Sequence, residues 1–213
     1  MNTTFCFVDL EGFSALTETH GDQAAADLVE RFVVLVEAAL RDTGRLVKTI
    51  GDAVLVTIVS PDHAVGFMQR LCTTAAAEAG FPVLRAGLHH GEAIERGGDF
   101  FGSAVNIAAR VTAHAGGGQV LATERLAEAA RLQGIEVTDL GTVALRNLLE
   151  PVRIFALGFL ENRGDDAIDP VCRMRVSRAH AAGRLRLNDT DYWFCSLDCV
   201  ARFADKPAAY RPR

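Results

Sequence analysis

Leu46-Val47-Lys48-Thr49-Ile50-Gly51-Asp52-Ala53-Val54-Leu55-Val56 sets two apolar, β-branched-rich runs on either side of a Gly-Asp pair. This pattern predicts a tight hairpin with strands over 44–50 and 53–59. Upstream, Phe5-Cys6-Phe7-Val8-Asp9-Leu10-Glu11-Gly12-Phe13-Ser14 is an apolar run ending in an acid, followed by a turn glycine and a helix start. A strand is expected there over 4–10. Between the two stretches, Leu28, Phe32, Leu35, Val36 and Ala39 recur at helical spacing and predict a helix over 22–40. After the hairpin, Val65, Phe67, Met68 and Leu71 mark a second helix over 62–79, and strands follow over 82–90 and 92–95 around Gly91. The order β-α-β-β-α-β is a ferredoxin-like, palm-type α+β pattern. Helices near 103–114 and 123–132 and strands near 135–140 and 152–159 are additions to it. Right-handed crossovers lay the first strand beside the hairpin, so Asp9 and Asp52, both at strand ends, can share one site. Two carboxylates held on a rigid scaffold within reach of water suit a pair of Mg²⁺ or Mn²⁺ ions completed by substrate phosphates.

A third stretch supplies different chemistry. Asp99-Phe-Phe-Gly-Ser-Ala-Val-Asn106-Ile-Ala-Ala-Arg110 places an acid, an amide and a guanidinium at intervals of seven and then four residues. Asn106 and Arg110 share one face of an Ala-rich helix. An acceptor for a base edge, an amide for a sugar and a fork for a phosphate are what nucleotide recognition requires.

The remainder of the chain bounds the answer. It has 213 residues, 49% hydrophobic, with a formal net charge of −5. No run approaches the roughly 20 apolar residues of a membrane helix, and the first residues lack a signal-peptide pattern. A cytoplasmic protein with no membrane or nucleic-acid partner is expected, the mild acidity arguing against nucleic acid. Charge is uneven. From Asp169 onward nine Lys and Arg face five Asp and Glu, a balance of +4 that leaves −9 for the preceding residues. The polar segment Glu161-Asn-Arg-Gly-Asp-Asp-Ala-Ile168 reads as a linker. Two domains are therefore expected, 1–160 and 169–213, joined by 161–168.

In order and spacing, F-x-D-L-x-G-F-S, K-T-I-G-D and D-F-F-G-x-A-V-N-x-A-A-R resemble the catalytic domain of class III nucleotidyl cyclases, over about three quarters of the chain. The resemblance implies that Asp9 and Asp52, with the Leu10 backbone carbonyl, bind two Mg²⁺ or Mn²⁺ ions. It further implies that Lys48 and Asp99 recognise adenine, that Asn106 orients the ribose, and that Arg110 stabilises phosphate charge in the transition state. A Lys donor beside an Asp acceptor complements adenine N1 and N6, whereas guanine reverses that polarity, so ATP is the expected substrate. The implied reaction is in-line attack of the ribose 3′-oxygen on the α-phosphorus with loss of pyrophosphate. In the family, the metal-binding acids of one protomer face the base-binding residues and Arg of the other. A homodimer with two equivalent sites is thus implied. Gly97-Gly98-Asp99-Phe100-Phe101 superficially resembles the GGDEF signature of diguanylate cyclases, but Phe100 replaces its Glu and the following helix is foreign to it.

Five cysteines occur. Cys6 and Cys72 sit in apolar runs and are expected to be buried and reduced. Asp169-Pro-Val-Cys172-Arg-Met and Tyr192-Trp-Phe-Cys195-Ser-Leu-Asp-Cys199-Val-Ala-Arg-Phe203 resemble a YHS domain, with Arg173 where a glycine is usual. Three clustered sulfurs suit Zn²⁺ or Cu, and His180 is the candidate fourth ligand. Inert thiols or a disulfide are the alternatives. Function then divides three ways: an adenylyl cyclase tuned by a metal-binding module, a catalytically silent nucleotide-binding dimer of the same fold, or a metal-handling protein working through the module.

Overall fold

The computed structural model describes residues 2–159 and 166–210. Strand β1 (Asn2–Leu10) is followed by helix α1 (Phe13–Leu40), the hairpin β2 (Gly44–Ile50) and β3 (Ala53–Ile58), helix α2 (Pro61–Ala77) and strand β4 (Leu84–Glu92). Next come a small hairpin β5 (Ile94–Arg96) and β6 (Asp99–Phe101), helix α3 (Ser103–His114), strand β7 (Val120–Thr123) and helix α4 (Glu124–Leu132). Strands β8 (Val137–Val143) and β9 (Val152–Leu157) close this unit. One seven-stranded sheet runs β2-β3-β1-β4-β7-β9-β8, antiparallel except for β4 with β7. Its β2-β3-β1-β4 part is the ferredoxin-like order expected from the sequence. The strand Val120–Thr123, which the sequence reading passed over, continues it.

Central position explains the composition of β1. Cys6, Val8 and Leu10 pack beneath α1, α2 and α4, while Phe5 and Phe7 pack on the other face. A strand covered on both faces has to be apolar almost throughout. On the first face the helices supply Leu28, Phe32 and Val36 from α1, Val65, Phe67, Met68 and Leu71 from α2, and Leu126 from α4. Proline at the first position of α2 costs no hydrogen bond. Helix α1 begins nine residues earlier than expected and is broken at Gly21 (φ 85°, ψ 167°), which separates a short Phe13–His20 segment from the rest. Cys6 and Cys72 are buried as expected.

The second face carries α3 and the β5–β6 hairpin. Helix α3 lies so close to β4 that a Cβ on Gly87 would stand 2.2 Å from the Thr112 backbone nitrogen, and one on Gly91 would stand 2.9 Å from the Ala104 Cβ. These contacts also fix direction: α3 runs antiparallel to β4.

The C-terminal module has two small hairpins, β10 (Asp166–Ile168) with β11 (Arg175–Ser177) and β12 (Gly183–Leu187) with β13 (Thr190–Phe194), and helix α5 (Leu197–Asp205). Its core is Val171, Cys172, Phe194, Cys199 and Phe203. Of the expected linker 161–168, residues 166–168 form β10, paired with β11, and 161–165 lie outside the described residues. No helix among the described residues is long and apolar enough to cross a membrane.

Two outcomes follow from this packing. Gly87→Val should destabilise the protein by about 1–3 kcal/mol in urea denaturation, because the backbone of α3 cannot yield as a side chain would. Burial holds His89 neutral, pushing its pKa down to about 4, with its ring Nδ1 2.8 Å from Thr123 Oγ1. Between pH 6.5 and 4 the unfolded chain therefore binds a proton that the folded chain refuses. Stability should fall over that window as pH drops, and His89→Gln should flatten the slope in thermal melts.

Candidate active site

Register places the two acids. Asp9 is paired with Ala53 on one side and Arg85 on the other. The β2–β3 turn is a tight two-residue loop with glycine first (Gly51, φ 64°), as such hairpins demand. It brings Asp52 against the end of β1, where the Leu10 N–H donates to the Asp52 carbonyl over 3.4 Å. The Asp52 carboxyl is pushed above the usual range chiefly by burial, with the Asp9 charge adding to it. Two carboxylates and the neighbouring Leu10 backbone form an all-oxygen donor set of the kind that hard divalent cations take.

A cation sits among them that the sequence reading missed. Arg85 Nε and Nη2 donate to the two Asp9 oxygens over 2.8 and 2.7 Å, a bidentate pair whose acid is only 15% exposed. The pair holds the Arg85 guanidinium above its ordinary pKa. The available signal was a single cation inside the apolar run Leu84-Arg85-Ala86-Gly87-Leu88.

Lys48 and Asp99 also meet. Their Nζ and Oδ2 are 2.5 Å apart, and Phe100 N–H donates to Asp99 Oδ1 over 2.8 Å. The Lys48 ammonium, then the Phe100 amide, hold the Asp99 carboxyl below the usual range. Two local features make the encounter. A bulge between Leu46 and Lys48 sets Lys48 opposite Leu55 instead of Val54, which turns its side chain from the α1 face to the Phe5 face. Phe100 then buries edge-on against Phe5, ring centroids 5.4 Å apart, and carries Asp99 to that face.

Asn106 and Arg110 stand four apart on the outer side of α3, whose inner side is Ala104, Ala108, Val111 and Thr112. Among the described residues neither side chain has a hydrogen bond or ion pair within the chain. They are not brought to Asp9. Because α3 runs against β4, Asn106 is level with the far end of β4, about 16 Å of strand from Arg85.

The three C-terminal cysteines do converge. Cys195 Sγ lies 3.4 Å from Cys172 Sγ and 3.7 Å from Cys199 Sγ. The expected fourth ligand is corrected: His180 is exposed and beside Ser177, while the imidazole within 4.8 Å of all three sulfurs is His20, from α1. His180 is on the short 3-10 turn after β11. Sulfur neighbours, Cys172 first, pull the Cys199 thiol far below the ordinary cysteine range.

Residues 1–157 match the family model described as the adenylate and guanylate cyclase catalytic domain. The chain belongs to that family. It is 35% identical over 156 residues to a pH-sensitive adenylate cyclase of Mycobacterium tuberculosis, covering 71% of this chain and 39% of that protein. It is 37% identical over 123 residues to an adenylate cyclase of Streptomyces coelicolor, covering 57% of this chain and 32% of that one. The chain thus spans about two fifths or less of these curated relatives. Among solved structures, an adenylate cyclase of Trypanosoma brucei analysed in its monomeric state superposes with a TM-score of 0.68 at 26% identity, over 76% of this chain and 90% of that one. The family match ends before the C-terminal module.

A divalent cation held by Asp9 would have to displace Arg85, whose charge-assisted hydrogen bonds contribute about 1.5–3 kcal/mol each. Arg85→Leu should therefore bind Mn²⁺ roughly tenfold or more tightly when no nucleotide is present, as read by calorimetry. Unchanged affinity would mean that the guanidinium and the cation do not share the carboxylate.

Proposed function

We propose that this cyclase-family chain converts ATP to 3′,5′-cyclic AMP and pyrophosphate at sites completed by two copies of itself. The observation that carries the reading is the separation of the functional groups. Asp9, Asp52 and Arg85 gather beyond the C-terminal end of α3, while Asn106 and Arg110 project from its outer face with no hydrogen-bond or ion-pair partner among the described residues. One protomer holds both halves of a site but keeps them apart, and a symmetric pair of copies brings unlike halves together.

Within such a site each residue has a role that its surroundings support. Lys48 donates to adenine N1, and Asp99, kept as a carboxylate by its neighbours, accepts from the N6 amino group. Their mutual bond aims both at one point. Asn106 bonds the ribose and sets the direction of its 3′-oxygen toward the α-phosphorus. Arg110 meets the charge that grows on the phosphate as pyrophosphate leaves. Asp9, Asp52 and the Leu10 carbonyl would hold Mg²⁺ or Mn²⁺, whose Lewis acidity acidifies the attacking hydroxyl and neutralises the triphosphate. Arg85, released from Asp9 by such an ion, would be free to turn its fork to the polyphosphate. The C-terminal module, which resembles a YHS domain, is the regulatory element in this reading.

The test is complementation. With ATP and Mn²⁺, Asp9→Ala and Arg110→Ala should each reduce cyclic AMP formation by about 100-fold or more. Mixed in equal amounts they should recover about one quarter of wild-type activity, since half of randomly paired dimers are mixed and each has one of two sites intact. Recovery of nothing would place the whole site within one chain. No cyclic AMP from folded wild-type protein would leave a nucleotide-binding dimer without turnover.

A further inference from the structure

The three sulfurs and the imidazole come from two different parts of the molecule. Cys172 follows β10, Cys195 and Cys199 flank the start of α5, and His20 ends the first segment of α1, one residue before the break at Gly21. All four ligand atoms lie within 4.8 Å of one another, and Cys195 stands from the other three at the separations of a coordination tetrahedron. Four ligands around Zn²⁺, with Zn–S about 2.3 Å and Zn–N about 2.05 Å, would stand about 3.8 Å apart for sulfur pairs and about 3.6 Å apart for a sulfur and a nitrogen. The observed values are 3.4 and 3.7 Å for Cys195 with Cys172 and Cys199, and 3.6 Å for Cys195 Sγ with His20 Nε2. Cys172 and Cys199 are fully buried, and Cys195 and His20 half-buried.

The backbone around the sulfurs is held independently of any ion. Asp169, fully buried, accepts from the N–H groups of Val171, Cys172 and Cys195 over 2.8, 3.4 and 2.8 Å. One carboxylate thus ties the two cysteine-bearing segments together. Ser196 caps α5 by accepting from the Cys199 N–H. A support that orients ligands in this way is usual around metal centres.

We propose that His20, Cys172, Cys195 and Cys199 form a Zn²⁺ site that fastens the C-terminal module onto the catalytic domain. The junction beside it is already shaped for contact. Arg173 Nε donates to Glu11 Oε2 over 3.3 Å, Arg202 donates to the Glu18 carbonyl, and Pro82 bridges Met174. Gly12 is left-handed (φ 78°), and a Cβ there would stand 2.3 Å from Arg173 Cγ. The ion would therefore clamp the Phe13–His20 segment, whose preceding residues Glu11 and Gly12 lead directly from Asp9. Arg173, standing where a glycine is usual in the module's motif, provides that contact.

The site is tested without any measure of catalysis, so it stands or falls apart from the cyclase reading. Metal-free full chain is titrated with Co²⁺ and then Zn²⁺. Wild type should bind one Co²⁺ with the intense visible bands of a tetrahedral site and sulfur-to-cobalt charge transfer, and Zn²⁺ should displace it. His20→Ala should weaken binding roughly tenfold or more and alter the spectrum. His20→Cys should restore tight binding with added charge-transfer intensity, while His180→Ala should match wild type. Zn²⁺ should also slow hydrogen exchange over 13–20 in wild type and not in His20→Ala. Sulfur-to-cobalt bands unaffected by His20→Ala, or lost in His180→Ala, would overturn the bridging site, as would a wild type that takes up no thiolate-bound metal.

Discussion

Everything near the nucleotide chemistry depends on β1 being buried on both faces. A strand with helices on one side and α3 on the other cannot slip by one residue, since a slip would carry Phe5 and Phe7 to the face of Cys6 and Val8. That constraint locks both neighbours at once. Pairing with β3 fixes Asp9 beside Ala53 and so beside the turn carrying Asp52. Pairing with β4 fixes Asp9 beside Arg85. The acid at the end of the strand is thus placed by apolar packing several residues away.

A cost accompanies this arrangement. Burial first, and then the Asp9 charge, raises the tendency of the Asp52 carboxyl to hold a proton. The Arg85 charge opposes that rise, and the same guanidinium gives Asp9 a bidentate partner. Under the proposed function, loading a divalent cation would exchange one positive charge for another at the same carboxylate and would free the Arg85 guanidinium.

Much of this was readable in the sequence, because the deciding signals were local. Helical spacing from Leu28 to Ala39, the Gly51-Asp52 turn and the spacing of Asn106 and Arg110 each report on a few consecutive residues. What escaped was non-local. The bulge that turns Lys48 toward Asp99, a pair the resemblance already implied, exists only in the pairing of β2 with β3. Arg85 acquires meaning only across the ladder from Asp9. The short strand Val120–Thr123 is stabilised by neighbours on both sides, β4 and β9, and carries little periodicity of its own. Proximity in sequence points to His180 as the fourth member of the sulfur cluster, whereas tertiary folding supplies it from 152 residues before Cys172, at His20.

The break at Gly21 gives that distant histidine its significance. An unbroken helix from Phe13 to Leu40 would tie the position of its first turn to the packing of Phe32 and Val36 in the core. With the break, Phe13–His20 is a short rod with two attachments. At one end it joins the Glu11–Gly12 turn that follows Asp9, and at the other it presents His20 to the sulfurs. Leu16, buried, is its main apolar anchor to the first-face core. A segment of eight residues has too few internal hydrogen bonds to hold its own position, so its contacts with the rest of the chain, Leu16 in the core, the Glu18 carbonyl with Arg202 and His20 beside the sulfurs, govern it. One end follows Asp9 through Leu10, Glu11 and Gly12, and the other brings His20 to the sulfurs of the module.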